Sequence, residues 1–226
     1  MAQACFKNGS SRLILLGAIH RDDEGASLLS DWLSRILPDV ITLEFSKYGL
    51  EFRRRKGDEY RKKIKDVLDK VGCNGEPCDA KALSSLTSFI DLPYEYVVAS
   101  RYAGEHEASL YLIDIDAFSY LRLRKAGELF DENNIKKVLS GPAPADSSEK
   151  AAARLFFQKG VKLSSYDDEM YMRDKYMSDR ISILMKHHTN KKFLHICGWQ
   201  HLEDPYGLYA PLNPAKVFLY DETLCV

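Results

Sequence analysis

The chain has 226 residues, of which 45% are hydrophobic and 29% charged, and its formal net charge is -1. This composition is typical of a folded globular domain, and the balanced charge argues against a general electrostatic attraction to nucleic acid or to an acidic membrane. The apolar runs are far shorter than the roughly 20 residues of a membrane span, and the N-terminus lacks the apolar segment of a signal peptide. We therefore expect one cytoplasmic α/β domain over residues 1–226, with no membrane span and no nucleic-acid partner.

A strand, a helix and a second strand open the chain. Residues 13–16 form a short apolar run followed by Gly17, which is typical of a strand covered on both faces and predicts a strand at about 12–17. Apolar residues then recur at helical spacing from residue 26 to residue 36, and Pro38 ends the helix. Residues 39–44 are the next strand, which ends in the carboxylate of Glu44. This order predicts a right-handed β-α-β unit.

A helical insertion is predicted at about residues 47–108. It begins with residues 47–65, which carry nine Lys or Arg residues against three acids. The basic part of this segment, residues 53–65, is either the solvated face of a helix or a lid that attracts an anionic substrate. Two further helices, at about 80–91 and 95–107, complete the insertion.

The rest of the chain alternates between strands and helices. A strand over residues 109–116 ends in Asp114 and Asp116, and a long helix at about 167–188 carries Arg173 beside its apolar stripe. We expect a carboxylate or a bound anion opposite this arginine. The other predicted segments are helices at about 117–126, 131–139 and 147–159, a loop at 140–146, and strands at 192–197 and 215–220. The pattern predicts an α/β fold with a central, mainly parallel sheet flanked by helices.

Several polar residues come at or just after the ends of predicted strands. They are His20, Glu44, Asp114, Asp116 and His201. Parallel strands bring such residues to one edge of a sheet, and a glycine three residues before each histidine allows a sharp turn there. Two imidazoles and one carboxylate are a common first shell for a divalent metal ion, whose bound water attacks a carbonyl. The alternative is that each side chain only caps a strand or bonds to a loop.

Five motifs carry a resemblance to a known family. They are GAIH at residues 17–20, PDVITLE at 38–44, LIDID at 112–116, MRDKYM at 172–177 and GWQHL at 198–202. Their order and spacing resemble the TraB/PrgY family, within the larger group of the Tiki proteases, the ChaN-like proteins and the erythromycin esterases. The chain departs from the family pattern at Ile115, where arginine is usual, at Met172, where an acid is usual, and at Trp199 and Gln200, where small residues are usual.

The resemblance implies an erythromycin-esterase/ChaN-like fold and the site of a metal-dependent hydrolase. The catalytic residues that it implies are His20, Glu44, Arg173 and His201, supported by Asp114, Asp116 and Asp174. The two histidines and Glu44 would bind a divalent ion such as Mn, Co or Zn, with Glu44 as a ligand or as the general base. Arg173 would stabilise the developing oxyanion. The substrate is then a peptide or a small molecule, and peptide hydrolysis is slightly favoured over ester hydrolysis.

Other members of the group imply other functions. The erythromycin esterases suggest a water activated by histidine and glutamate without a metal, PrgY-like proteins suggest a peptide or small-molecule binder without chemistry, and ChaN suggests an iron or haem binder. A homodimer is compatible with the sequence, because the helical insertion could cover a partner. The resemblance thus predicts the position of a site more closely than it predicts a reaction.

Overall fold

The computed structural model describes residues 11–71, 86–87, 89–140, 147–159 and 166–221. The described chain opens with strand β1 (Leu13–Ala18), helix α1 (Gly25–Ile36) and strand β2 (Val40–Leu43). Every residue of both strands is buried, so their sequences are apolar without the alternation that a one-sided sheet shows. The predicted order of strand, helix and strand is confirmed.

The described part of the chain forms one five-stranded sheet. Its other strands are β3 (Ser109–Leu112), β4 (Phe193–Gly198) and β5 (Ala215–Phe218), and the order across the sheet is β3-β2-β4-β1-β5. All neighbouring strands are parallel, which confirms the predicted α/β fold. GAIH and GWQHL both contain the pattern Gly-x-x-His, here called GxxH. Because β4 lies beside β1, the two GxxH motifs lie at the ends of adjacent strands.

Helices fill most of the chain between the strands. They are α2 (Lys47–Val71), α3 (Tyr94–His106), α4 (Asp116–Leu123), α5 (Ala126–Leu129), α6 (Glu132–Ser140), α7 (Ser147–Lys159) and α8 (Asp168–His187), with short 3-10 helices at Trp199–Glu203 and Ala210–Leu212. Most of the helix predicted at 80–91, and the loop predicted at 140–146 apart from its first residue, lie outside the described residues. Within the described ranges, no helix has the length and apolar composition needed to cross a bilayer.

The chain divides into two compact units. The first, here called the sheet unit, comprises Met1–Phe45, Tyr94–Asp114 and Ser148–Val226 and contains the sheet with α1, α3 and α8. The second, here called the helical unit, comprises Ser46–Pro93 and Ile115–Ser147 and contains α2 and α4 to α6. Of the insertion predicted at about 47–108, helix α3 therefore belongs to the sheet unit, while the helical unit takes a further segment that follows β3.

Within the helical unit, one face of α2 is apolar and the other is charged. Tyr60 and Ile64 on the apolar face are buried and pack with Phe130. On the charged face, Lys56 lies 2.8 Å and Lys63 3.3 Å from the carboxylate of Glu59. Such exposed ion pairs at helical spacing favour the solvated-face interpretation of the basic segment over that of a substrate lid.

Helix α8 places two charged residues among the buried groups of the sheet unit. Asp167 caps its first turn, where the side chain accepts the Met170 N–H at 2.8 Å. Arg173 and Asp174 follow on the buried side of the helix, one turn before the core residue Met177. Since α8 ends shortly before β4 begins, its first turns lie at the carboxyl ends of the parallel strands.

Candidate functional site

The carboxyl ends of β1, β4 and β2 bring two histidines and a glutamate together. Ala18, the last residue of β1, pairs with Gly198, the last residue of β4. Glu44 directly follows β2, and its Oε2 atom accepts the Gly198 N–H at 2.6 Å. His20 follows β1 by two residues, and His201 lies in the 3-10 helix after β4. The neighbouring positions of these three strands therefore create the site.

Gly198 lies between His20 and Glu44. A Cβ atom at this position would lie 3.0 Å from His20 Nε2 and 3.5 Å from Glu44 Oε2. The backbone φ of Gly198 is -57°, an angle that any residue adopts. At Gly17, a Cβ atom would lie 3.0 Å from the backbone of Trp199. Both glycines are thus required for close approach, and not for the sharp turn that the sequence suggested.

Arg173 binds two buried carboxylates. Its Nη2 atom lies 2.5 Å from Glu44 Oε1 and 2.8 Å from Asp114 Oδ2, and its Nε atom donates to Asp114 Oδ1 at 3.0 Å. The fork to Asp114 is the bidentate geometry that arginine favours with carboxylates. The sequence predicted a carboxylate opposite Arg173, and the structure has two there, Glu44 and Asp114. Among the described residues, the Nη1 atom of Arg173 makes no hydrogen bond.

His201 is held at both ring nitrogens. Its Nδ1 atom lies 2.6 Å from Asp174 Oδ1 and its Nε2 atom 3.1 Å from Glu44 Oε1. Asp174 is fully buried and also accepts hydrogen bonds from the hydroxyl groups of Tyr209, at 3.0 Å, and Tyr166, at 2.5 Å. Tyr209 lies 35 residues from Asp174 and Tyr166 eight residues from it. Neither tyrosine belongs to one of the five motifs, so the sequence did not predict them.

His20 has a different environment. Its side chain is 49% exposed, and its Nδ1 atom lies 2.7 Å from Oε1 of Glu95, whose side chain is 4% exposed. Glu95 was not predicted, because it lies in the segment assigned to the insertion. One signal was present: Glu95, Ala99 and Tyr102 share a stripe of α3 at helical spacing, and all three are buried. An acid within an apolar stripe indicates a buried partner.

The charges of the site reinforce one another. Burial by itself would raise the pKa of the Glu44 carboxyl, but the charges of His201 and Arg173 outweigh burial and hold this pKa well below its ordinary value. Burial likewise works against a charge on His201, yet the Glu44 carboxylate and the hydrogen bond to Asp174 raise its pKa to about 10. At neutral pH, Glu44 is therefore an anion and His201 an imidazolium that donates from both nitrogens.

Asp116, the other predicted supporting residue, lies elsewhere. It is the first residue of α4 in the helical unit, where its carboxylate accepts the Tyr48 N–H at 2.8 Å. The chain leaves the strand conformation at Leu112 and enters α4 at Asp116, so the two acids of the LIDID motif do not share a strand face. Of this pair, Asp114 contacts Arg173 and Asp116 caps the start of α2.

The imidazoles and carboxylates of the site are side chains of the types that bind divalent metal ions. A metal-bound histidine commonly donates its second N–H to a carboxylate, and the Nδ1 atoms of His20 and His201 lie beside Glu95 and Asp174. The space above Gly198, which a Cβ atom would fill, is faced by His20 Nε2 and Glu44 Oε2. Among the residues that the structure describes, however, no group of three or more His, Cys, Asp or Glu side chains is close enough together to hold a metal ion.

Comparison with protein-family models, curated proteins and solved structures finds no match to this chain. The resemblance to the TraB/PrgY family therefore rests on the five motifs alone.

Proposed function

We propose that the chain is a hydrolase that adds water to the carbonyl group of a peptide or an ester, with peptides favoured. The observation that carries this proposal is the buried Glu44 carboxylate, which is held between Arg173 and His201 and faces His20 across Gly198. A fixed carboxylate, two imidazoles and a guanidinium at one sheet edge are the groups that carbonyl hydrolysis uses.

The contacts of Glu44 favour one of its two predicted roles. Its oxygens accept hydrogen bonds from Arg173, His201 and the Gly198 N–H, and its pKa is held low. Such a carboxylate retains a proton weakly but binds a cation well, so we assign it as a metal ligand and not as the general base.

Arg173 is suited to stabilise the oxyanion of the intermediate. Two of its three nitrogen atoms hold Glu44 and Asp114, which fixes the guanidinium plane, and Nη1 makes no hydrogen bond among the described residues. A preorganised donor of this kind contributes most in a site from which water is excluded, and the Arg173 side chain is only 9% exposed. We therefore assign Nη1 to the carbonyl oxygen of the substrate.

His20, Glu44 and His201 are the residues that would hold a divalent ion such as Mn, Co or Zn. When bound, such an ion lowers the pKa of its water and polarises the carbonyl. The protein's own contribution is to keep both imidazoles oriented by Glu95 and Asp174, to keep Glu44 ionised, and to supply the Arg173 donor. Metal binding through His201 requires its Nε2 proton to leave, so affinity should rise with pH.

A second candidate is a peptide or small-molecule binder without catalysis. The observation that favours it is the saturation of the cluster: both oxygens of Glu44 and both nitrogens of His201 already have protein partners. A site of this kind can recognise a ligand by its charge pattern without a chemical step.

The test is a screen for hydrolysis of chromogenic peptides and esters in the presence of manganese, cobalt or zinc. Wild type is compared with Glu44→Gln and with Glu105→Gln, an exposed glutamate of α3. A hydrolase loses at least a hundredfold in rate in Glu44→Gln and nothing in Glu105→Gln. Binding of peptides without turnover in any metal would support the binder and overturn the hydrolase.

The metal is tested by elemental analysis and by thermal melts with added ions. Wild type should be stabilised by at least one of the three ions, and the double variant His20→Ala/His201→Ala should lose that shift. The matched control is His106→Ala/His187→Ala, which removes two exposed histidines of the sheet unit. An equal shift in all three proteins would place the metal elsewhere.

A further inference from the structure

A buried acid outside the predicted site contacts the first GxxH histidine. Glu95 is the second residue of α3, and its Oε1 atom lies 2.7 Å from the Nδ1 atom of His20. We infer that Glu95 is the positioning residue for His20: it fixes the protonated ring nitrogen and directs Nε2 toward Glu44. The role of His20 in the reaction rests on the proposed function. The contact between Glu95 and His20 does not depend on that function.

The start of α3 holds the segment around His20 at several points. The Tyr94 hydroxyl donates to the carbonyl oxygen of Ile19 at 3.0 Å, on the residue directly before His20. The Tyr94 ring also packs against Gly25 so closely that a Cβ atom there would clash with it. Two consecutive residues of α3 thus fix the backbone and the ring of the GxxH segment. Tyr94 and Glu95 are also the first residues of the second chain segment that belongs to the sheet unit.

The chemistry of the pair determines the form of the imidazole. A carboxylate oxygen only accepts hydrogen bonds, so the proton of the neutral ring lies on Nδ1 and the lone pair on Nε2. Nε2 is also the atom that lies 3.0 Å from the Cβ position of Gly198, on the side of Glu44. A half-exposed imidazole without such a partner would rotate freely and would prefer the Nε2–H tautomer that predominates in water.

The burial of Glu95 argues against a merely structural role. Its Oε2 atom is buried and has no hydrogen-bond partner among the described residues. Buried polar atoms are normally satisfied, and a carboxylate with one satisfied oxygen lowers stability compared with an apolar residue of the same size. Among the residues that the structure describes, the side chain that compensates it is His20. The second GxxH motif repeats the arrangement, since His201 Nδ1 lies 2.6 Å from the buried Asp174.

The experiment is long-range proton–nitrogen NMR of the histidine rings in nitrogen-15-labelled protein, recorded over a pH series. Wild type is compared with Glu95→Ala, Glu95→Gln and the control Tyr94→Phe, which removes the neighbouring hydroxyl but keeps the carboxylate. The His20 signals are assigned with His20→Gln. At the alkaline end of the series, where the ring carries a single proton, we expect that proton on Nδ1, with a downfield signal, in wild type and Tyr94→Phe. Glu95→Ala should change to the Nε2–H tautomer, and Glu95→Gln should lose the downfield proton.

An unchanged downfield proton in Glu95→Gln would overturn the inference. This variant preserves size, so it decides the question even if Glu95→Ala does not fold. Once a substrate is identified, kcat should fall roughly 10–100-fold in Glu95→Ala with little change in KM, and Glu95→Gln should retain part of the rate. If wild type hydrolyses nothing, the proposed function fails while the NMR comparison still decides the role of Glu95.

Discussion

Arg173 and Asp174 are consecutive residues of α8 that bind the two members of one ion pair. Arg173 Nη2 lies 2.5 Å from Glu44, Asp174 Oδ1 lies 2.6 Å from His201, and Glu44 and His201 are themselves 3.1 Å apart. A single turn of α8 therefore holds both the acid that follows β2 and the histidine that follows β4. Any displacement of this turn changes both contacts at once.

Replacing Asp174 should destabilise the fold. Asp174→Asn keeps the size of the side chain but removes the charge that faces the His201 imidazolium, and we expect the free energy of unfolding to fall by about 1.5–3 kcal/mol. Urea unfolding at neutral pH measures this change. Asp179→Asn, on an exposed position of the same helix, should stay within about 0.5 kcal/mol of wild type. Equal losses in the two variants would contradict the role of the Asp174–His201 contact.

The stability that His201 contributes should decrease in alkaline solution. Its pKa is raised to about 10 in the folded chain, so its contribution is complete below the ordinary histidine pKa of about 6.5 and is lost as pH rises toward 10. The difference in unfolding free energy between wild type and His201→Gln should therefore shrink from pH 6 to pH 10. His187→Gln, on the exposed end of α8, provides the comparison at each pH. A constant difference for His201→Gln would refute the raised pKa.

The contact between Glu44 and His201 should also weaken in acid, because Glu44 then gains a proton and loses its charge. The pKa of Glu44 lies well below its ordinary value in the folded chain, so its contribution is present above that ordinary value and is lost as pH falls through the folded one. Glu44→Gln should therefore differ most from wild type near pH 6 and converge with it in strong acid. Acid titration of the unfolding midpoint for both proteins tests this, and parallel curves would contradict it.

Gly198→Ala should preserve the fold and impair the site. The backbone angles of Gly198 suit alanine, but the new Cβ atom would lie 3.0 Å from His20 Nε2. Because the His20 ring is half-exposed, it can turn away from the new Cβ atom at the expense of its contact with Glu95. We therefore expect a small change in melting temperature and a loss of at least tenfold in hydrolysis or metal affinity. In Gly104→Ala, the new Cβ atom meets nothing within 4 Å, and the helix should gain about 0.5–1 kcal/mol. Full activity in Gly198→Ala would mean that His20 and Glu44 need not be in close approach.

Lysine should be unable to substitute for Arg173 in stability or in activity. Arg173→Lys keeps the charge but cannot contact Glu44 and form the fork to Asp114 together, so one buried carboxylate loses its partner. We expect a loss of about 3–5 kcal/mol in stability and, if Nη1 binds the oxyanion, at least a hundredfold loss in kcat. The control is Arg180→Lys on the exposed side of α8. Calorimetry and steady-state kinetics separate the two effects.

Local patterns predicted the elements and part of the site. The strand ends after β1, β2 and β4 were visible as apolar runs followed by polar residues, and His20, Glu44 and His201 lie there. Arg173 was visible because a charge beside an apolar stripe requires a buried partner, and Glu44 and Asp114 provide it. These signals are local, since each depends on a few neighbouring residues.

Two of the residues that the sequence did not predict, Glu95 and Tyr209, contact residues that lie far from them in the chain. Glu95 lies 75 residues from His20, and Tyr209 lies 35 residues from Asp174. No spacing rule connects such pairs, because the sheet order determines which segments meet. Asp116 shows the converse: its spacing from Asp114 fits a common strand face, but the chain leaves the strand before reaching either acid. The position of β4 between β1 and β2 was likewise not predictable from the order of the elements.

The central position of β4 has a consequence for how the protein is made. β1 and β2 flank β4 and do not pair with each other, so neither obtains that hydrogen-bonding partner until residues 193–198 have emerged from the ribosome. Pairing across such sequence separations is slow, and the unpaired edges of the two early strands are open to aggregation until then. We therefore expect the nascent chain to need chaperone protection until β4 has been synthesised, and the two GxxH segments to come together only after that point.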